Sequence, residues 1–302
     1  MAINAYWLGL SFMWNSLHPL ILPAVLLHLV PESMKNTYLG VLTFAGLIMA
    51  MIVQPISGAA SDHWQSRWGR RRPLAVVGTL LDFIFLALLA WSGNLVVVII
   101  GYVGLQITSN IAHGPLQALI PDLVPEGQMG IASGLKNLMD IGGLIAASLV
   151  AGRLLSPQDR YPTAIMLVVM AALAISAVVT FCNAKEEPTS NERKHQARIS
   201  FRDVFQIDLK GYSPYFKLIA SRFLFLIGFY GLQVFAQYYI RDVMHIANPI
   251  QATADMMAAL AVTLVLCAVL GGWLTDRLGA RIVVTAASVI AAMGSFLFLF
   301  AR

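Results

Sequence analysis

The chain of 302 residues is 58% hydrophobic and only 12% charged, and its mean hydropathy is +0.74. A soluble domain carries roughly twice that share of charged residues, so the composition excludes a soluble globular fold. The formal net charge of +5 does not indicate nucleic-acid binding, because the cations fall mainly in short segments between long apolar runs, where they orient helices in a bilayer. We therefore predict an all-α, polytopic helical membrane protein.

Nine apolar segments are long enough to span a bilayer. Their predicted limits are 5–29, 37–60, 73–91, 94–120, 128–152, 161–182, 214–240, 250–274 and 281–301. The one long polar stretch, 183–213, divides six of these segments from three. We predict an N-terminal six-helix bundle over 1–182, a cytoplasmic linker over 183–213 and a partial three-helix bundle over 214–302.

The distribution of Lys and Arg between the segments predicts the orientation of the chain. The face that carries the turn 58–73 holds twelve of these cations, and the opposite face holds four. By the positive-inside rule, we expect the N-terminus to be cytoplasmic. The expected location is a plasma or inner membrane. The first apolar run has no basic leader, so no cleavable signal peptide is expected. Cys182 and Cys267 fall inside apolar segments, which predicts packing roles rather than a disulfide or a metal site.

The turn at 58–73, with the sequence GAASDHWQSRWGRRRP, contains four of the twenty Lys and Arg residues. Asp62 ends the second segment, and Arg70 and Arg71 precede the third, so a carboxylate and two guanidinium groups meet at one membrane face. Such groups form charge-assisted hydrogen bonds that can exist in one conformation and not in another. Asp122, at the end of the fourth segment, is expected to share these arginines. We predict a conformational gate here; the alternative is that the arginines only anchor the loop.

A shift of the sequence by 214 residues reveals an internal repeat. Gly58 then aligns with Gly272 and Asp62 with Asp276, and the second copy continues to Arg277 with four residues fewer before its next glycine. The same shift pairs the first three segments with the last three. A repeat of the same orientation predicts two similar bundles around an axis along the membrane normal.

The two turns resemble the signature of the major facilitator superfamily. The first has G-x-x-S-D followed by G-R-R-R at 58–72, and the second has G-x-L-T-D-R-x-G-x-R at 272–281. The longer form of the first turn, and the pattern P-x-x-A-L-x-x-D-L-x-P at 115–125, are most similar to the glycoside–cation symporter branch, which includes sucrose-transporter-like proteins.

This resemblance implies a two-bundle transporter of twelve helices that works by alternating access, of which this sequence has about nine. It also implies that Asp62 and its arginines latch the two bundles on the cytoplasmic side, with Asp276 and Arg277 as the matching part. Sodium-coupled sugar symporters of this group place paired acidic residues in helices 2 and 4. This sequence has none above Asp62 or Asp122, so protons are expected as the coupling ion rather than sodium.

Polar side chains recur at helical spacing in several predicted segments, which places each set on one face. The residues predicted to form the solute and proton pathway are Asn15, His18, Asn110, His113, Gln117, Lys136, Asp140, Gln233 and Gln237. At 1.5 Å per residue, His113 and Lys136 lie about 10 Å and about 12 Å from the same membrane face, so the fourth and fifth segments are expected to meet near the midplane. Asp140, one turn from Lys136, is expected either to accept the coupling proton or to form a structural ion pair.

Several residues in the apolar segments have a more ordinary role as the alternative to a functional one, and His18 and His113 could titrate near neutral pH. His18 and His113 are expected to act as hydrogen-bond donors, and Asp82 is expected to pair with a neighbouring helix. Trp14 and Tyr230 are candidates for stacking on a sugar, although aromatic residues are also common in helix packing and at membrane interfaces.

Together these features predict a secondary active transporter of a sugar, glycoside or similar polar solute, coupled to protons. Two alternatives remain open: an exporter of drugs or metabolites with the same fold, and a non-transporting remnant that lacks three helices. No nucleophile–base set, metal cluster or phosphate loop is found, so we expect no enzyme activity, no cofactor and no metal.

Overall fold

The computed structural model describes residues 2–64, 66–184, 186 and 213–297. These ranges contain helices and no strand, which confirms the predicted all-α fold. The helices are α1 (Ala2–Leu29), α2 (Lys35–His63), α3 (Arg72–Ala90), α4 (Leu95–Leu123), α5 (Met129–Leu154), α6 (Thr163–Asn183), α7 (Ser213–Asp242), α8 (Pro249–Leu278) and α9 (Ala280–Leu297). Within the described ranges, α1 to α8 are long and apolar enough to cross a membrane, whereas the apolar part of α9 is shorter.

The helix bounds follow the repeat predicted from the sequence. α8 begins at Pro249, the position that the 214-residue shift pairs with Lys35 at the start of α2. α7 ends at Asp242, next to the position paired with the end of α1. Most of the predicted linker 183–213, and the end of the ninth predicted segment, lie outside the described residues.

α1 is not a uniform α-helix. A π-helical turn, Leu17–Ile21, separates the α-helical parts Ala5–Ser16 and Leu22–Leu29. Pro19 and Pro23 lie in or beside this turn, and neither can donate a backbone hydrogen bond. The carbonyl of Pro19 therefore lacks the N–H that residue 23 would provide in a regular α-helix, and it can accept from another helix.

α1 also lies at the centre of the described structure. It packs against α5 and α6 along its length, and against α7 at the π-helical turn. The most apolar stretch of α1 is 72% buried, compared with 17% for α2. The other described helices are therefore arranged around α1, which carries Pro19 and Pro23, and α2 lies at the periphery.

Two helix crossings are so close that glycine is required. A Cβ on Gly143 of α5 would lie 2.6 Å from the carbonyl oxygen of Leu8 and 2.7 Å from the amide nitrogen of Phe12 in α1. A Cβ on Gly78 of α3 would lie 2.6 Å from the amide nitrogen of Ala112 in α4. Because these neighbours are backbone atoms that cannot rotate away, the glycines set the separation of the helices.

Polar contacts reinforce the packing of α3. The carboxylate of Asp82 is fully buried and accepts a hydrogen bond from the Thr108 hydroxyl of α4 at 2.5 Å. One turn earlier, Thr79 is 2.8 Å from the hydroxyl of Tyr6 in α1. Asp82 therefore pairs with a neighbouring helix, as the sequence predicts.

The two bundles meet along a seam with α1 and α5 on one side and α7 and α8 on the other. We name the two ends of the molecule by their charges: the arginine end carries Arg70–Arg72, and the opposite end carries Glu32 and Arg241. Near the opposite end, α8 lies so close to α5 that a Cβ on Gly152 would be 2.2 Å from the Cβ of Ala254.

Toward the arginine end the seam widens. The side chains of residues 262–268 in α8 and 219–225 in α7 are exposed within the described structure, and so are six of the thirteen residues 129–141 in the first half of α5. The described helices of the second bundle therefore contact the first bundle at the opposite end and separate from it toward the arginine end.

We predict that Gly143→Ala lowers the free energy of unfolding by about 1–3 kcal/mol, because the new methyl group meets the backbone of α1. Gly142→Ala is the matched control, because a Cβ there would lie 3.7 Å from its nearest neighbour, Leu8 Cδ1. Thermal unfolding of both purified variants in the same detergent measures the difference. Equal midpoints for the two variants would contradict the close crossing of α1 and α5.

Candidate functional site

Arg71 lies where α2, α3 and α4 converge at the arginine end, and only 5% of its surface is exposed. Its Nη2 is 2.5 Å from Asp62 Oδ1, and its Nε donates to Asp122 Oδ2 at 2.9 Å. Its Nη1 donates to the Ser61 hydroxyl at 2.6 Å, and Arg70 Nη2 adds a second contact to Asp122 at 2.7 Å. The planar guanidinium thus joins the ends of α2 and α4 through charge-assisted hydrogen bonds. We call Asp62, Arg70, Arg71 and Asp122 the arginine cluster.

Glu186 ties the end of α6 to the same place. Its carboxylate accepts hydrogen bonds from the backbone N–H groups of Arg71 at 2.9 Å and Arg72 at 3.2 Å, at the start of α3. The first N–H groups of a helix have no partner within it and favour an anion. Gly69 has a φ of +94°, and a Cβ there would lie 2.2 Å from Glu186 Oε2, so glycine makes room for this carboxylate. In the sequence, Glu186 is one of several charges in the polar linker, and nothing there distinguishes it.

The described contacts of the arginine cluster all lie within the first bundle. Arg277, the predicted counterpart, lies over the ring of Trp273 in its own helix, 4.3 Å from the centroid. The side chain of Asp276 lies outside the described residues. The expected link from Asp62 to the second bundle is not among the described contacts; Asp62 is paired with Arg71 of its own bundle.

The polar face predicted on α4 meets α1. The Nε2 atoms of His18 in α1 and Gln106 in α4 each lie 2.9 Å from the hydroxyl of Tyr102. Asn110 donates to the carbonyl of Gln106 at 2.7 Å. The ring of His18 also stacks on Trp14, with centroids 4.8 Å apart and planes at 21°. Gln106, one member of the predicted face, therefore contacts α1 through His18, and Tyr102 adds to this contact.

Trp7 of α1 connects the part of this face nearer the arginine end to α5. The ammonium of Lys136 lies 3.9 Å from the centroid of the Trp7 ring, and 3.1 Å from Asp140 Oδ2. Trp7 packs edge-on against His113, whose Nε2 lies 3.0 Å from Gln117 Nε2. His113 and Lys136 therefore lie at one level, as the depth estimate predicts. Cation–π contact explains the position of Trp7, but a tryptophan among many apolar residues gives no sequence signal for it.

The predicted glutamines of α7 lie at the seam. Gln233 Nε2 is 3.4 Å from Asn15 Oδ1. The buried side chain of Gln237 faces two carbonyl oxygens, so its amide nitrogen must be directed at them: it donates to Pro19 at 2.9 Å and to Leu20 at 3.0 Å. The carbonyl left without a helical partner by Pro23 is thus used to attach the second bundle.

A network of charges at the opposite end joins the turn between α1 and α2 to the end of α7. Lys35 is only 4% exposed, and its ammonium lies 2.5 Å from Glu32 and 2.6 Å from Asp242. Arg241 Nη1 is 2.7 Å from Glu32 Oε1, and Lys35 lies 5.3 Å from the centroid of the Tyr238 ring. We call Glu32, Lys35, Arg241 and Asp242 the opposite-end network. The sequence does not indicate this network, because the pairs that join the two helices, Lys35 with Asp242 and Glu32 with Arg241, each span more than two hundred positions.

The packing role predicted for the two cysteines is wrong within the described part of the chain. Cys182 and Cys267 are free, and both are exposed. They lie on faces of α6 and α8 that point away from neighbouring described helices, so an apolar segment does not by itself place a residue in a packing interface.

The family model of the Major Facilitator Superfamily matches residues 1–302. The chain belongs to the Major Facilitator Superfamily. This confirms the resemblance of the two turns and the predicted fold class, a polytopic membrane transporter fold.

Relatives of this superfamily member include proteins named for sugar transport. The sucrose transport protein SUC3 of Arabidopsis thaliana is 27% identical over 222 residues, which is 61% of this chain and 36% of that protein. Solute carrier family 45 member 3 of Homo sapiens is 30% identical over 115 residues, 33% of this chain and 20% of that protein. The chain thus matches about a third or less of each relative's length.

Among solved structures, a D-xylose-proton symporter superposes with a TM-score of 0.58 at 16% sequence identity. The match covers 91% of this chain and 68% of that one. At this identity the likeness confirms the fold of the Major Facilitator Superfamily and nothing finer.

We expect Arg71→Lys to lower the free energy of unfolding by about 1–3 kcal/mol, because an ammonium cannot hold both carboxylates and the Ser61 hydroxyl from one planar fork. Arg67→Lys is the control, since Arg67 is exposed in the same turn and the substitution is identical. Denaturation of both variants in the same nanodiscs measures the difference. A variant at Arg71 as stable as the control would show that the cluster does not hold α2 and α4 together.

Proposed function

We propose that this protein is a secondary active transporter that carries a sugar, or a similar polar solute, together with protons by alternating access. The observation that supports the proposal is the set of neutral polar side chains at the seam of a membrane transporter fold. Relatives named for sucrose transport, and a fold neighbour named for D-xylose and protons, favour the same solute class.

The proposed solute site lies between α1, α4 and α7. Asn15, His18 and Gln233 are partly exposed at the seam, and each offers a neutral hydrogen-bonding group of the kind that sugar hydroxyls need. The Trp14 ring beside His18 supplies an aromatic surface for the apolar face of a sugar. A site between two bundles near the midplane can face either side of the membrane as the bundles move.

The proposed proton site is Asp140. The Asp140 carboxylate lies 3.1 Å from the Lys136 ammonium. The same ammonium also lies 3.9 Å from the centroid of the Trp7 ring. Protonation of Asp140 neutralises the carboxylate and releases Lys136 from it. Because an unpaired charge within a bilayer is costly, the release favours a rearrangement of α5 against α1, which is how a proton would bias the bundles.

The two charged groups of residues have different roles in this proposal, and the opposite-end network is the gate. The opposite-end network joins the bundles and keeps that end closed, whereas the arginine cluster stabilises the first bundle while the seam near it is open. We place the arginine end and the N-terminus in the cytoplasm of a cell membrane, because that face has the excess of Lys and Arg. The conformation described here then opens to the cytoplasm.

Uptake of radiolabelled sucrose and D-xylose into proteoliposomes, with and without an inward proton gradient, tests the proposed function. We expect the gradient to raise accumulation of at least one sugar in the wild-type protein. Asp140→Asn should reduce accumulation to the level without a gradient, because the neutral amide cannot exchange a proton. Asp255→Asn, at an exposed position of α8, is the control and should retain gradient-driven uptake. Accumulation that does not respond to the gradient in the wild type would rule out proton coupling.

Charge reversal tests the opposite-end network separately from transport. Lys35→Asp places a third carboxylate between Glu32 and Asp242, and it should open this end; the additional change Asp242→Lys should close it again. The readout is labelling of Gln233→Cys by a membrane-impermeant maleimide from the extracellular side, in a background without Cys182 and Cys267. We expect the single reversal to raise the labelling rate about tenfold, which corresponds to a shift of about 1.4 kcal/mol between open and closed states.

Arg153→Asp is the control for this reversal. Arg153 lies at the same end, is exposed and donates within its own helix to the Leu149 carbonyl. A reversal there should leave labelling unchanged. If Lys35→Asp also leaves labelling unchanged, or if the double variant is not restored, the network is not a gate.

A further inference from the structure

His18 lies in the π-helical turn of α1 and is fixed by neighbours on two sides. Trp14 stacks against its ring, and the Tyr102 hydroxyl of α4 lies 2.9 Å from its Nε2. A π-helical turn inside a longer helix often marks a functional position. Two residues of α4, Tyr102 and Gln106, lie behind His18 and contact its imidazole.

The hydrogen bonds assign the proton of the imidazole. The amide nitrogen of Gln106 donates to the Tyr102 oxygen at 2.9 Å, and Gln106 Oε1 in turn lies 3.4 Å from the amide nitrogen of Asn110, which is consistent with this amide orientation. The same amide nitrogen lies 3.4 Å from Nε2 of His18. Because an amide nitrogen only donates, Nε2 faces a donor there, and the hydroxyl hydrogen of Tyr102, which has no other described acceptor, is directed at the same Nε2. Nε2 therefore accepts, and the proton of neutral His18 lies on Nδ1.

Tyr102 and Gln106 do not themselves reach the solute site. Tyr102 is 0% exposed and Gln106 is 6% exposed. α2 closes over both, because a Cβ on Gly46 would lie 2.7 Å from the Tyr102 hydroxyl and 2.8 Å from Gln106 Nε2. Their effect on a solute must therefore pass through His18, which is partly exposed at the seam. Among the described residues, no hydrogen-bond partner reaches Nδ1 of His18.

We infer that Tyr102 and Gln106 are positioning residues that hold His18 as an Nδ1–H donor to an oxygen of the solute. The inference rests on the proposed function for the identity of the solute, but the tautomer of His18 does not depend on it. A donor fixed in this way selects solutes with an acceptor oxygen at that point, such as a sugar hydroxyl or a ring oxygen, because an analogue without it would leave the N–H unpaired.

Nitrogen-15 NMR of histidine-labelled protein in nanodiscs tests the tautomer without any transport. The spectrum of His18→Gln identifies the His18 resonances by their loss. We expect protonation on Nδ1 in the wild type, and a mixture of the two tautomers in Tyr102→Phe, which removes only the hydroxyl. Gly46→Ala retains the hydroxyl but displaces it, so it should give the same change as Tyr102→Phe.

Tyr6→Phe is the matched control for this measurement. Tyr6 is as deeply buried as Tyr102, but its hydroxyl bonds to Thr79 rather than to a residue of the seam. It should leave the His18 signals unchanged. The inference is wrong if His18 of the wild type is protonated on Nε2. It is also wrong if a folded Tyr102→Phe variant has unchanged His18 signals.

Uptake kinetics test the effect on the solute. For a sugar that the wild type accumulates, Tyr102→Phe should raise KM about two- to tenfold, the loss expected for one hydrogen bond, with a smaller change in the maximal rate. Tyr6→Phe should leave KM unchanged. An unchanged KM in Tyr102→Phe, or an equal rise in both variants, would overturn the positioning role while the transport function stands. Failure of the wild type to accumulate any sugar would instead refute the proposed function, and the NMR result would still decide the tautomer.

Discussion

Buried polar groups must find partners, and this constraint determines where the helices are joined. Arg71, Lys35 and Gln237 are almost completely buried, and each is bonded to oxygens of another helix or of the turn beside it. Breaking such a contact leaves a charge or an amide without a partner in an apolar environment, which costs several kcal/mol for a charge. The polar residues therefore act as joints between helices, and a change of conformation has to exchange the partners at these joints.

The joints are distributed unequally between the two ends. At the arginine end, Arg71 and Glu186 join α2, α3, α4 and the end of α6, all within the first bundle. At the opposite end, Lys35 and Arg241 join the first bundle to the second. The charged joints are therefore confined to the first bundle at the arginine end and cross between the bundles at the opposite end. Between the bundles, the described polar contacts lie at that end and at the π-helical turn of α1, where Gln237 and Gln233 reach the first bundle.

Much of this arrangement follows from the sequence, and the rest depends on how distant helices approach. Composition and turn residues predict the helices and the repeat, and the placement of Asp122 at a helix end beside the arginine turn predicts its ion pairs. The pairing of Lys35 with Asp242, by contrast, depends on the docking of α7, which no local pattern encodes. Pro23 is visible in the sequence, but the use of the Pro19 carbonyl by Gln237 is a property of the seam. Likewise, the burial of Tyr102 beneath Gly46 requires the crossing of α2 and α4.

Double electron–electron resonance between spin labels across the seam tests the central claim, alternating access, most directly. One label pair would sit at exposed positions of the opposite end, Leu154 in α5 and Gln251 in α8, and a second pair at the arginine end, Ile131 in α5 and Leu278 in α8. Addition of a transported sugar at low pH should change the two distances in opposite directions, with one end widening as the other narrows. Two distances that stay constant, or that change in the same direction, would contradict the account.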